Sequence, residues 1–195
     1  MKTKNGRIYR FGTKTVIAVI LISIVCGLVI EIFVRGFEKG IYPIKYSEYV
    51  EKYSDEFGIP ESVIYAVIKT ESNFDATAIS SASAHGLMQL TEETFFDVAK
   101  MLGESPSAFD IYEPDVNIRY GTRYLLYLYE MYDGNWSTVF AAYNAGLGNV
   151  NNWLDDYSLS DGRGGLKSIP FKETRNYVRK VNKAIEVYEK LYNLR

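Results

Sequence analysis

Cysteine and histidine are nearly missing from this chain: Cys26 and His85 are the only ones. A single thiol cannot close an intrachain disulfide, and one imidazole with one thiol falls short of the usual zinc clusters, so no metal and no cofactor is expected. The lone histidine also leaves no Ser-His-Asp or Cys-His device, since no G-x-S-x-G motif accompanies it and Cys26 lies inside an apolar run. His85 is therefore expected to be a loop residue. An excess of positive charge is lacking as well. The net charge is −2 with a pI of about 5.6, which gives no overall attraction for the phosphates of nucleic acid. What is present is globular: 195 residues, 47% hydrophobic and 24% charged, enough for one ordinary core and too little for two large ones.

The charge is unevenly placed. Residues 1–14 carry Lys2, Lys4, Arg7, Arg10 and Lys14 with no acid, a basic tail of +5 that leaves the rest of the chain at −7. From Val16 to Val34 only Ser23 and Glu31 interrupt an apolar run. Such a run rises about 28 Å as a helix, close to the ~30 Å hydrocarbon thickness of a bilayer. A cleaved signal peptide and a buried core helix are the competing readings. No small-x-small cleavage site follows the run, and Val25 before Cys26 fits a lipoprotein site poorly, so a membrane anchor over residues 15–35 is favoured. Basic residues ahead of it predict a cytoplasmic N-terminus, with everything after Arg35 outside. Glu31 then falls near the outer interface, where its carboxylate reaches water.

Gly36, Gly40 and Pro43 mark residues 36–45 as a linker to a domain covering residues 46–195. That domain reads as mainly helical. Tyr46, Tyr49, Val50, Tyr53 and Phe57 recur at steps of three and four before Gly58 stops the helix. A second helix starts near Pro60, a third after the capping residue Thr91, and a long one after Asp115, also expected to cap. Further helices are expected over residues 136–145, 148–157 and 171–193, while residues 76–88 are irregular enough to hold a short hairpin. The glycines between Ser158 and Ile169 form a flexible loop and not a phosphate cradle, because no Lys-Ser/Thr pair follows them. Tyr120, Tyr124 and Tyr127 at helical spacing are read as interior packing with hydroxyls at the edge, not as a sugar-stacking platform.

With His85 set aside, carboxylates are the remaining acid–base groups, and Glu71 differs from the rest. It follows Ile64 by seven residues and Val67 by four, so it projects from the apolar stripe of its own helix. A carboxyl held against apolar side chains loses hydration, its pKa rises, and it keeps a proton to donate near neutral pH. That is the environment an acid catalyst of glycoside cleavage needs. A helix-end residue that reaches water is the alternative.

Four ordered motifs favour the first. Glu71-Ser72-Asn73-Phe74 with Ala78-Ile79-Ser80, then Gly86-Leu87-Met88-Gln89, then Ala141-Ala142-Tyr143-Asn144-Ala145-Gly146, and last Ile169-Pro170-Phe171-Lys172-Glu173-Thr174-Arg175-Asn176-Tyr177-Val178, resemble the SLT-type lytic transglycosylases. The resemblance covers about Ile59 to Val181. It implies a lysozyme-like, goose-type catalytic domain behind the anchor, acting on peptidoglycan glycan strands. Within that resemblance Glu71 matches the acid that protonates the oxygen between N-acetylmuramic acid and N-acetylglucosamine, then as carboxylate deprotonates the muramic C6 hydroxyl, closing a 1,6-anhydro ring. Ser80 and Gln89 match residues that hydrogen-bond sugar in the cleft, and Met88 one that lines it, with core packing the alternative. Tyr143 matches the tyrosine that orients or stabilises the acid and the transition state, and Asn144 is read as holding the Tyr143 loop. Glu173 and Tyr177 match positions beside the cleft, Glu173 being either a substrate contact or a partner of Arg175 or Arg179.

Two departures stand out. Ser83 replaces the Gly of a G-A-x-G-L-M-Q turn, and Glu92 replaces a frequent Pro. A single-acid site agrees with the chemistry, since ordinary glycosidases need a second carboxylate about 5–9.5 Å away; Asp75 is lost as that partner if the helix ends near Ser72, and becomes a turn residue. The rivals are a hydrolysing muramidase of the goose-lysozyme type, told apart by reducing instead of anhydro ends, and a non-catalytic wall-binding or secretion-apparatus subunit, which would bind wall and never cut it. No motif identifies a protein partner.

Overall fold

The computed structural model describes residues 12–194, and the chain divides after Ile41 into two units. The basic side chains of the tail fall outside the described residues. The first unit is one helix, α1 (Thr13–Ile41), about 43 Å long at 1.5 Å per residue. Its stretch Thr15–Ile41 is long and apolar enough to cross a membrane, and its apolar side chains are exposed all round, which is not how the core helix of a soluble domain sits. Ser23 Oγ bonds back to the Val19 carbonyl at 2.9 Å, and Glu31 pairs with Arg35 at 2.9 Å, so both polar interruptions are answered within the helix. The expected linker is shorter than its glycines imply, for the helix continues through Gly36 and Gly40. Each glycine costs a nucleated helix only about 1 kcal/mol. The stop comes at Pro43, which drives Tyr42 out of helical geometry.

The second unit, from Tyr42 onward, is built around α3 (Glu61–Glu71), whose residues Ser62 through Ile68 are all buried. Packed on it are α2 (Ser47–Phe57) and above all α8 (Lys172–Tyr192), while α5 (Pro114–Met131) packs on α2 and α6 (Trp136–Ala145) on α8. Short α7 (Leu147–Asp155) follows α6, and α4 (Glu92–Leu102) lies on α5. Gly58 ends α2 in the left-handed conformation at φ 68°, and Thr91 caps α4 by accepting from Thr94 N, both as the sequence predicts. Asp115 does not cap α5. Pro114 takes the first helical position with Glu113 ahead of it, and the Asp115 carboxylate instead accepts from Tyr53 Oη at 2.6 Å, tying α5 to α2.

Residues 76–91 contain the short hairpin. Strands β1 (Ala84–His85) and β2 (Leu90–Thr91) pair antiparallel, Ala84 opposite Thr91, and Ile79 adds a bridge to His85. His85 sits in β1, its ring nitrogen 2.7 Å from Tyr112 Oη. Ser83 enters the hairpin at φ 56°, which accounts for the glycine expected there: a residue with a Cβ costs about 1–2 kcal/mol in that conformation. Ser83→Gly should therefore raise stability by about 1 kcal/mol, read as an upward shift of the urea midpoint at unchanged slope.

Two apolar clusters result. The larger is centred on α3, and a smaller one gathers Leu90, Phe95, Val98, Ala99 and Tyr120 between α4 and α5. Tyr124 and Tyr143 pack against both, which puts these two rings at the junction.

Candidate active site

The helix α3 ends at Glu71 because Asn73 and Phe74 turn left-handed, at φ 52° and 66°. Asp75 is the expected turn residue; its Oδ1 accepts from Thr77 N at 2.9 Å and from the Thr77 hydroxyl at 2.8 Å. Ser72 donates to the Leu87 carbonyl at 2.7 Å, fastening the end of α3 to the Gly86–Gln89 loop. The Glu71 carboxyl, at the end of the buried stripe of Ile64 and Val67, accepts from Tyr177 Oη of α8 at 2.6 Å. Burial pushes the carboxyl up to about 7, against the downward pull of the Tyr177 hydrogen bond. Among the described residues no second carboxylate contributes to its proton affinity. Tyr177 and Tyr143 are both held well above the usual phenol range, by burial first and by the Glu71 charge second, so both stay protonated.

Tyr143 lies in α6, and its hydroxyl donates to the Met88 carbonyl at 2.8 Å instead of to the acid. The phenol that holds Glu71 is Tyr177. The resemblance gives Tyr143 the task of orienting or stabilising the acid and the transition state; in the structure Tyr177 makes the bond to Glu71, while Tyr143 lies near enough for the Glu71 charge to raise its pKa. Of its two readings Met88 takes core packing. Its side chain is fully buried against α5, where a Cβ on Gly121 would come within 2.4 Å of its sulfur, so it fills the core beneath the cleft and does not line it. Gln89 and Ser80 serve the loop: Gln89 Nε2 donates to the carbonyls of Gly86 at 2.9 Å and Ala78 at 3.1 Å, while Ser80 Oγ accepts from Ala84 N at 3.1 Å. Glu173 is exposed in the first turn of α8, one turn before Tyr177.

Sequence reasoning missed Asn117. Fully buried on α5, it accepts from Met88 N at 2.7 Å and donates to the carbonyls of Ile111 at 2.8 Å and His85 at 3.1 Å. A Cβ on Gly86 would come within 2.3 Å of its amide nitrogen, which is why the loop carries glycine there. The available signal was a polar amide beside Ile118 on the stripe that continues to Gly121 and Leu125. A groove of about 520 Å³ opens beside Tyr143 and Asn144, walled by Tyr124 and Tyr127 of α5 and by Asp97 of α4. Tyr120 is interior, as expected, but Tyr124 and Tyr127 are only partly buried and present surface to this groove.

Residues 48–163 match the transglycosylase SLT domain. The chain belongs to that family. This SLT domain is 35% identical to the soluble lytic murein transglycosylase of Escherichia coli K12, over 72% of this chain and 22% of that protein. It is 34% identical to the membrane-bound lytic murein transglycosylase C of Serratia proteamaculans, over 75% of this chain and 47% of that protein. The chain thus spans between a fifth and a half of the length of these relatives. Among solved structures, a 70-kDa soluble lytic transglycosylase in complex with bulgecin A superposes with a TM-score of 0.71 at 33% identity, covering 80% of this chain and 26% of the other. An inactive Glu-to-Gln mutant of the lytic transglycosylase Slt from Pseudomonas aeruginosa gives 0.69 at 33%, covering 78% and 25%. The mainly helical, lysozyme-like fold read from the SLT motifs is therefore the observed one.

Proposed function

We propose that this chain is a membrane-anchored lytic transglycosylase that cuts the β-1,4 bond between N-acetylmuramic acid and N-acetylglucosamine of peptidoglycan, with Glu71 as acid and then base. The observation that carries the reading is one carboxyl, protonated up to about pH 7 by burial, bonded to a neutral phenol and without a carboxylate partner among the described residues. Glycosidases that activate water or form a glycosyl-enzyme ordinarily use two acids. With no second carboxyl bonded to Glu71 or raising its pKa, the substrate's own hydroxyl is read as the nucleophile. Glu71 donates its proton to the bridging oxygen, the bond from C1 to that oxygen breaks, and the muramic C6 hydroxyl closes on C1 as the Glu71 carboxylate takes up its proton. The acid is restored and no water is consumed.

Tyr177 holds the carboxyl in place through both half-reactions and stabilises it in the ionised one. The groove beside Tyr143, with Tyr124, Tyr127 and Asn144, suits a glycan strand, aromatic faces for sugar rings and polar groups for their hydroxyls. Ser80, Gln89 and Glu173, which lie outside the groove lining, are read as further polar contacts of the strand, Gln89 through the amide oxygen left over from bracing the loop. The names of the relatives, lytic murein transglycosylases both soluble and membrane-bound, and the loss of activity in the P. aeruginosa Glu-to-Gln mutant support the same reading. Residues 15–35 anchor the chain, with the basic tail inside and the SLT domain outside the membrane.

Mass analysis of the glycan fragments tests the reaction. Anhydro-muramic ends, lighter by one water than reducing ends, are the expected product; reducing ends would identify a muramidase, and binding without cleavage a scaffold.

A further inference from the structure

Residues 42–195 carry a net −7, yet four of their cationic side chains gather on one pocket of about 500 Å³ between the end of α3 and the middle of α8. Lys69 comes from α3, and Arg179, Lys180 and Lys183 from α8; no acid lines the pocket, and its far wall is the ring of Tyr42. Among the described residues no carboxylate lies within ion-pair distance of Lys69, Arg179 or Lys180. Lys69 stands 5.7 Å over the Tyr42 ring and bonds the Asn73 side chain, Arg179 bonds the Asn176 amide oxygen at 3.0 Å, and Lys183 alone has an acid, the exposed Glu186 at 3.2 Å. Lys45 further burdens Lys69, whose pKa is lowered by burial and by that neighbour. Four positive groups converging in an acidic domain, with the exposed Glu186 their one acidic partner, form a site that a phosphate oxyanion would complete.

Connectivity says which oxyanion is at hand. Tyr42 is the residue directly after Ile41, where α1 ends, and it is fixed to the domain: its carbonyl accepts from Tyr192 Oη at 2.7 Å and its ring meets Tyr188 edge-on at 5.6 Å. In an upright helix whose apolar run begins at Val16, about 20 residues fill the hydrocarbon and Tyr42 emerges roughly 10 Å beyond Arg35, a few ångströms past a headgroup layer about 5–7 Å deep. Tyr42 is thus tethered near the headgroups, within reach of the long, flexible lysine and arginine side chains beside it. We infer that this pocket binds the phosphate headgroup of an anionic phospholipid in the membrane that anchors the chain, clamping the SLT domain to the lipid surface. The inference rests on the anchor reading and adds to it a lipid preference that the helix alone does not have.

The test uses the full chain in nanodiscs of phosphatidylcholine, or of phosphatidylcholine mixed with phosphatidylglycerol, with lysine acylation rates read by mass spectrometry. Lys69, Lys180 and Lys183 should react at least about threefold more slowly in the anionic discs, in line with the attraction of basic residues to an anionic surface. Lys190 is the internal reference: it is two residues from Tyr192, hence as near the anchor, but outside the pocket. The Lys180→Glu, Lys183→Glu double variant should abolish the protection remaining at Lys69 while leaving insertion into discs unchanged. Equal rates in the two discs, or slowing shared equally by Lys190, would overturn the inference. Equal protection by soluble glycerol phosphate in neutral discs would overturn the lipid assignment in favour of a free phosphate site. Failure of the chain to remain with the discs at all would instead count against the anchor.

Discussion

Glu71→Gln is expected to slow release of fragments from purified peptidoglycan by on the order of 10³-fold, the range that loss of a general acid produces. The amide keeps the shape and can still accept from Tyr177, so the fold survives and the loss is chemical. A second readout separates this from damage to the protein. Glu71 has its folded pKa raised from 4.5 to about 7, so the folded state binds the proton more tightly than the unfolded chain does. Its contribution favours folding fully below pH 4.5 and is lost as pH rises through about 7, because above that pH the fold must carry a buried carboxylate. The glutamine has no such charge. Its stability advantage over wild type should therefore be small at pH 5 and grow to about 1–3 kcal/mol by pH 8. A variant that is inactive yet no more stable at the higher pH would refute the account of a desolvated acid, and one that retains wild-type turnover would remove Glu71 from the reaction.

That dual behaviour explains how much of the site could be read without coordinates. Periodicity marks Glu71, an acid seven residues after Ile64 and four after Val67, as lying on the apolar stripe, but leaves open a helix-end carboxyl that reaches water; the ordered motifs decide between the two. The same periodicity locates α2, α4 and α8 from their own sequences, because each buries one stripe. What a single-helix pattern does not contain is register between helices. Tyr177 and Tyr143 lie on different helices, α8 and α6, and both carry a phenol near the acid; which of them bonds it depends on packing set by residues more than a hundred positions apart. Which of its two readings Met88 takes, cleft or core, is decided the same way: Gly121 opens a space on α5 that the methionine fills. Asn117, an apparent misfit on α5, is the group that satisfies the backbone of the loop holding Met88 in place. Sites built from loops bonded to distant helices are legible in sequence as motifs and become geometry when the helices meet.

Tyr177→Phe is expected to cost about 10- to 100-fold in turnover, the worth of one hydrogen bond to a charged group, and to move the pH profile in a defined direction. The Tyr177 hydroxyl donates to Glu71 at 2.6 Å and pulls its pKa down, opposing burial. Without that bond only desolvation remains, so the carboxyl keeps its proton to higher pH and the alkaline limb of kcat/KM shifts upward from about 7. The shift and the loss oppose each other in effect: more of the enzyme holds the acid form, but the carboxylate that must then deprotonate the C6 hydroxyl is formed less readily and is no longer aimed. A structural role for Tyr177 would lower turnover without moving the limb. A downward move of the limb would mean that the phenol supports the neutral acid instead of the carboxylate, and the division of labour between the two half-reactions would have to be reversed.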